Sequence, residues 1–255
     1  MRPNRLREVL ARKDIIVNSW HAIPSAYLAE SASQQGFDSV TIDLQHGMIG
    51  FETAIAMLQA ISSSAAVPLV RVTANRPDQI MRILDAGAYG IICPMVSNAA
   101  DARCFSDACR YPPAGNRSYG PARGLLYGGS DYADNANTEI LVIPMIETEE
   151  ALDNIAVIAG MEQIDMIYIG PNDLALALGE RPGAEIEPSR TLRAIEHIRS
   201  TCASVNKPVG IFCANTEIAK LRAGQGFDLV TPGSDFSLAT RAMAQAVKDL
   251  RGIDG

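Results

Sequence analysis

From Ile15 onward, short β-branched runs alternate with longer stretches in which apolar residues recur at helical spacing. Eight runs read as strands: IIVNSW from Ile15, SVTIDL from Ser39, PLVRV from Pro68, YGIICP from Tyr89, ILVIPMI from Ile140, DMIYIG from Asp165, PVGIF from Pro208 and DLVTP from Asp228. The gaps carry amphipathic stretches: SAYLAESASQQ, FETAIAMLQAI, DQIMRILDA, NAADARCFSDACR, ETEEALDNIAVIA, PSRTLRAIEHIRSTCA, TEIAKLRAG and SLATRAMAQAVKDL. Glycine turns at Gln35-Gly36-Phe37, Ala86-Gly87-Ala88 and Gln225-Gly226-Phe227 stop a helix just ahead of a strand. Eight strand–helix units in a row predict a parallel sheet closed into a (β/α)8 TIM barrel, one domain over residues 1–255. One stretch breaks the rhythm: Tyr111 to Asn137 reads as a long irregular loop, the kind that serves as a lid, a binding loop or an oligomer contact.

Composition narrows the possibilities. With 47% apolar residues, the 255-residue chain can bury one sizeable core. Its net charge is −7 and no Lys/Arg block occurs, so the electrostatic footprint that nucleic-acid binding requires is missing. The charged opening MRPNRLREVLARKD has no apolar stretch of signal-peptide type, and no later run approaches membrane-spanning length; a soluble cytoplasmic protein is expected. The five cysteines are scattered and include no CxxC pair, which argues against a disulfide framework or a thiolate zinc site. They read as small core residues.

In a barrel of this kind, reacting groups sit at the carboxyl ends of the strands. Functional-type residues concentrate there: Trp20 and His21 at the end of the first strand, Asp43, Gln45 and His46 in DLQHG following the second, Arg71 in PLVRV, Glu147 in IPMIET and Asp173 in IGPND. Glu147 and Asp173, with no histidine or thiolate beside them, suit a hard cation that prefers oxygen ligands, such as Mg2+ or Mn2+. Taken singly, each also fits a helix-terminus role. His46, in a polar turn, is the side chain best placed to move a proton near neutral pH. Asp43 either orients that imidazole or caps the loop. His21 lacks an acidic neighbour in sequence, and His197 falls on the surface of an amphipathic helix. Arg71 closes an apolar strand, so its guanidinium must reach the barrel mouth, where an anion is its natural partner. None of the four lysines, Lys13, Lys207, Lys220 and Lys248, ends a strand, so no Schiff-base lysine is in place. Gly170, before Pro171 and Asn172, lets the backbone approach a substrate anion closely.

DLQHG, Arg71 in VRV, ILDAGAYGIICPMV, YPPAGNRSYG, Glu147 in PMIETEEALDNI and IGPNDLALALG resemble, in order and from about Trp20 to Asp235, the HpcH/HpaI aldolase family. The resemblance implies a metal-dependent (class II) aldolase that cleaves 4-hydroxy-2-oxo acids to pyruvate or hydroxypyruvate and an aldehyde. It assigns His46 as the base, Arg71 to transition-state stabilisation, and Glu147 and Asp173 to a divalent ion (Mg2+, Mn2+ or Co2+). Asp85 in ILDAG matches an aspartate that raises the basicity of that histidine; placed at a helix end on the opposite face of its own barrel, it acts only from another subunit. The backbone from Gly170 to Asp173 fixes the substrate carboxylate, and Trp20 and Phe212 wall the pocket. A homo-oligomer, a hexamer with the terminal helix SLATRAMAQAVKDL packed on a neighbouring subunit, is implied too. Two positions depart from the family pattern: Met145 stands in place of a glutamine and Asn18 in place of a glycine, which bears on the aldehyde accepted. The alternatives are an acyl-CoA lyase of the citrate-lyase-β type, against which DLQHG and the missing basic patch for CoA phosphates argue, and a non-catalytic barrel scaffold.

Overall fold

Eight parallel strands close into a barrel in sequence order: β1 Ile16–His21, β2 Ser39–Asp43, β3 Val67–Arg71, β4 Gly90–Cys93, β5 Leu141–Ile146, β6 Ile167–Ile169, β7 Val209–Phe212 and β8 Leu229–Thr231. The structure, a computed structural model, describes residues 1–183 and 189–252. Around the strands lie α1 Arg5–Ala11, α2 Ala26–Ser33, α3 Phe51–Ile61, α4 Pro77–Asp85, α5 Ala99–Cys109, α6 Ala122–Gly128, α7 Tyr132–Glu139, α8 Glu149–Asp153, α9 Ile155–Gly160, α10 Pro171–Ala177, α11 Arg190–Ser204, α12 Thr216–Gly224 and α13 Asp235–Arg251. The expected barrel is therefore present, with its eight strands at the expected runs. Gly36, Gly87 and Gly226 have φ of +89°, +103° and +88°, the left-handed conformation those turns require of the chain.

Because side chains alternate along a strand, each strand sends one set outward against the helices and one set into the barrel. On β2, Val40 and Ile42 join the outer layer, while Ser39, Thr41 and Asp43 face in. The inner set of the other strands includes Ile16, Leu69, Ile143, Tyr168 and Leu229; α1 closes the bottom with Leu6 and Val9. A polar network threads this interior. Asn18 Nδ2 donates to Thr231 Oγ1 at 2.9 Å, Asn18 Oδ1 accepts from Ser39 and Thr41 at 2.8 and 2.9 Å, and Tyr168 shares a 2.8 Å bond with Thr231. Asn18 is fully buried and its amide is satisfied inside the barrel. The expectation that this departure bears on the substrate is corrected: residue 18 is part of the barrel's packing, and only Met145 of the pair lines the cavity.

Several expectations fail for physical reasons. The stretch from Tyr111 to Asn137 is not irregular throughout, because α6 and the start of α7 lie within it. Neither helix has an apolar stripe long enough to read; buried Tyr132 and the side chain of Arg117 hold them down. The helix expected over ETEEALDNIAVIA breaks at Asn154 into α8 and α9. The one expected from Pro188 begins, within the described residues, at Arg190; Pro188 lies outside them, as do residues 253–255 of the expected domain. Cys104 is exposed, whereas Cys93, Cys109, Cys202 and Cys213 are buried as expected. Among the described residues, no helix is long and apolar enough to cross a membrane.

Candidate active site

The alternation that builds the barrel interior also delivers inward residues of β1, β2, β3, β5, β6 and β7 to the mouth. Trp20, Asp43, Arg71, Met145, Tyr168, Gly170 and Phe212 thus surround a cavity of about 230 Å3 at the carboxyl end of the sheet. His46, Pro171, Asn172 and Asp173 join from the loops after β2 and β6. Sequence reasoning missed Tyr168, Ala22 and Ser234 in this wall; the period-two rule applied to β6 would have found Tyr168.

Asp43 and Arg71 are register partners on adjacent strands and form the rigid centre of the site. Arg71 donates through Nε to Asp43 Oδ1 at 2.8 Å and through Nη2 to Oδ2 at 2.6 Å, a two-pronged ion pair between buried groups. Asp43 also accepts from the backbone N–H of Gln45 and His46 and from Trp20 Nε1. Burial alone would raise its carboxyl, but the bonds to and charge of Arg71 outweigh that and hold it below the usual carboxylate range. The reading in which Asp43 orients the His46 imidazole is therefore corrected: its oxygens are occupied by Arg71, Trp20 and the backbone. Arg71 Nη1 has no hydrogen-bond partner among the described residues, which leaves those donors for whatever fills the cavity. His46 lies exposed at the rim, its ring nitrogens likewise without a partner among the described residues.

Glu147 follows β5 as the next inward position and is 2% exposed. Its Oε1 accepts from the Met95 N–H at 2.8 Å; its Oε2 is buried and has no partner among the described residues. Burial pushes the carboxyl up to about 7, the Met95 bond opposes this, and the charge of Asp173 adds to the rise. A buried carboxylate oxygen left without a donor, with a second carboxylate near it and no imidazole or thiolate, fits a hard divalent cation that takes its other ligands from water and substrate. Glu147 and Asp173 are the residues that would hold it. Three or more such side chains do not gather anywhere among the described residues, so a cation here keeps open positions. Gly170 has a sharper reason to be glycine than backbone approach to an anion: a Cβ there would stand 2.5 Å from Glu147 Oε2.

The remaining histidines and Asp85 lie apart from this cavity. His21 is fully buried, with Nε2 at 3.0 Å from Ser19 Oγ and Nδ1 at 3.3 Å from Asp235 Oδ2. His197 is exposed on α11, as expected. Asp85 ends α4 and pairs with the buried Arg117 at 2.7 Å, so its own chain does not bring it to His46.

The family model for HpcH/HpaI aldolase/citrate lyase matches residues 18–242. A hydroxypyruvate/pyruvate aldolase of Rhizorhabdus wittichii is 41% identical over 234 residues, covering 92% of this chain and 93% of that protein. A 5-keto-4-deoxy-D-glucarate aldolase of Escherichia coli is 33% identical over 251 residues, 96% of this chain and 97% of its own. Among solved structures, a HpcH/HpaI aldolase/citrate lyase family protein from Burkholderia cenocepacia superposes with a TM-score of 0.91 at 28% identity, over 97% of this chain and 99% of that one. With the barrel, the carboxylates at its mouth and matches along nearly the whole chain all in agreement, the protein belongs to the HpcH/HpaI aldolase/citrate lyase family of carbon–carbon lyases.

Proposed function

We propose that the protein is a class II aldolase that reversibly cleaves 4-hydroxy-2-oxo acids to pyruvate or hydroxypyruvate and an aldehyde, with Glu147 and Asp173 holding Mg2+, Mn2+ or Co2+. The observation that carries this reading is the unpartnered buried oxygen of Glu147 at the mouth of the barrel that also fixes the Arg71 guanidinium. When bound, the cation supplies a Lewis acid that polarises the 2-oxo group. The backbone from Gly170 to Asp173 receives the substrate carboxylate. Arg71, immobilised by Asp43, meets the 2-oxo oxygen as it gains negative charge. His46 takes the proton of the 4-hydroxyl; the C3–C4 bond breaks, its electrons pass into the enolate across C2 and C3, and C4 becomes the aldehyde carbonyl. The proton now on His46 then passes, through water, to C3 of the enolate, which releases the 2-oxo acid and restores the base. Trp20 and Phe212, with ring centroids 5.7 Å apart, wall the pocket and limit water. No lysine lines the cavity; the half-buried Lys207 instead donates to the carbonyls of Met161 and Ile164. Asp85 enters this reading only from a neighbouring subunit.

Proton–deuterium exchange at C3 of pyruvate and of hydroxypyruvate in D2O, followed by NMR with chelated and metal-restored protein, tests the reading. Metal-dependent exchange is expected and identifies the donor. Folded, metal-loaded protein that exchanges neither acid would overturn it.

The terminal helix supports a homo-oligomer, a hexamer by the family resemblance. From Thr240 to Arg251 every residue of α13 is exposed. Phe236, Met243, Val247 and Leu250 form one apolar face, with Leu250 90% exposed. An apolar stripe that its own barrel leaves uncovered is a surface for a second copy. The combined Met243→Asp and Val247→Asp substitutions are expected to shift the particle mass in light scattering towards the 27.3 kDa of a single chain. A wild-type chain that already runs at that mass would refute the assembly.

A further inference from the structure

Trp20 lines the cavity wall, but its contacts give it a second task. Its indole Nε1 donates to Asp43 Oδ2 at 3.2 Å, the same oxygen that accepts from Arg71 Nη2. The Arg71 guanidinium carbon lies 4.8 Å from the centroid of the indole ring, over its face. The indole also stacks on Tyr168, with centroids 5.6 Å apart and planes 27° from parallel. Tyr168 cannot swing away, because its hydroxyl is tied to Thr231 inside the barrel at 2.8 Å. Trp20 itself is 3% exposed. The indole thus touches both members of the ion pair, one through its N–H and one through its π face, and its stacking on the tethered Tyr168 holds it in place.

We propose that Trp20 is a positioning residue for the Asp43–Arg71 pair: it fixes the plane of the guanidinium, and with it the direction of the Arg71 donors left for the substrate oxygen. Two prongs from Asp43 alone allow the pair to rock about the line joining them. The ring face blocks that motion on one side, and the indole N–H holds the carboxylate that anchors it. A wall needs only bulk; this role needs the N–H as well. The kinetic part of the proposal rests on the aldolase reading, whereas the positional part does not.

The decisive comparison is Trp20→Phe, which keeps an aromatic face and removes the N–H, alone and combined with Arg71→Lys. Two quantities are followed: hydrogen exchange of the Arg71 Nε–H resonance, assigned by its disappearance in Arg71→Lys, and the kinetics of 4-hydroxy-2-oxo acid cleavage. Trp20→Phe is expected to speed exchange of the Arg71 Nε–H by roughly tenfold or more, as the bond to Asp43 Oδ1 opens more often. It is expected to lower kcat by about 10- to 100-fold with KM changed little, the pattern of an interaction realised in the transition state. Added to Arg71→Lys, it costs almost nothing further, because it acts through that arginine. An unchanged Arg71 resonance, or losses confined to KM and multiplying in the double variant, would show a wall and overturn the proposal. If the wild type proves to have no cleavage activity, the reaction assignment falls, and the exchange of Arg71 Nε–H still decides the role of Trp20.

Discussion

His46→Ala is expected to lower cleavage of a 4-hydroxy-2-oxo acid by about 100- to 10,000-fold, the usual worth of a positioned acid–base group. C3 exchange of the donor acid should fall sharply with it. Folding should survive the change: His46 is exposed and its ring bonds to nothing among the described residues, so the stability cost stays within about 0.5 kcal/mol. That combination makes the experiment clean, since lost activity cannot be traced to lost structure. Thermal melts beside the kinetic assay check both halves. Activity retained within a few-fold in the folded variant would remove His46 from the reaction.

The other large effect concerns Glu147. Its carboxyl is pushed up to about 7 by burial, above the ~4.3 of a glutamate in an unfolded chain. Between those two values the folded chain holds a proton that the unfolded chain has released. Stability of the metal-free protein should therefore be highest below that window, fall as pH rises through it, and level off above about 7, a loss on the order of 3 kcal/mol. Glu147→Gln has no charge to bury and should abolish this slope, so it is the more stable protein at pH 8 under chelation. The order reverses with a divalent ion: Mn2+ restores the wild type and leaves the variant unchanged, and cleavage by the variant no longer responds to metal. Urea titrations at pH 5 and pH 8, with chelator and with Mn2+, read the whole pattern. A wild type equally stable at both pH values under chelation would mean that water reaches Glu147 Oε2 and that its burial carries no charge penalty.

How far the chain could be read depended on whether the signal was local. Strand ends, the polar residues beyond them and the turns at Gly36, Gly87 and Gly226 are written in consecutive residues, and they appear in the structure where the pattern puts them. The partner of Asp43 was not legible in that way. Three residues of sequence separation favour His46, but the β2–β3 register sets Asp43 opposite Arg71, 28 positions away, and a charged pair across a strand wins over a neighbour on a loop. Gly170 shows the same limit: its reason is the Glu147 oxygen on the adjacent strand's end. The short helix α10 begins with Pro171, separated from the end of β6 by Gly170 alone, and at seven residues is too short for a periodic stripe. The Asn18 departure reads as bearing on the aldehyde because inward residues at different heights cannot be told apart from sequence, and Asn18 lies below the layer that reaches the cavity.

The seat of the indole has an optical consequence. Trp20 is the chain's one tryptophan, so the ultraviolet emission of the entire protein, excited at the red edge where tyrosine is silent, originates at a ring in contact with Asp43, Arg71 and Tyr168. A small acid drawn to Arg71 changes the field across that ring and is seen without a dye or a coupled enzyme. Libraries of 2-oxo acids can therefore be ranked by titration before any aldehyde is known, and each cavity variant brings its own gauge of whether the guanidinium has moved.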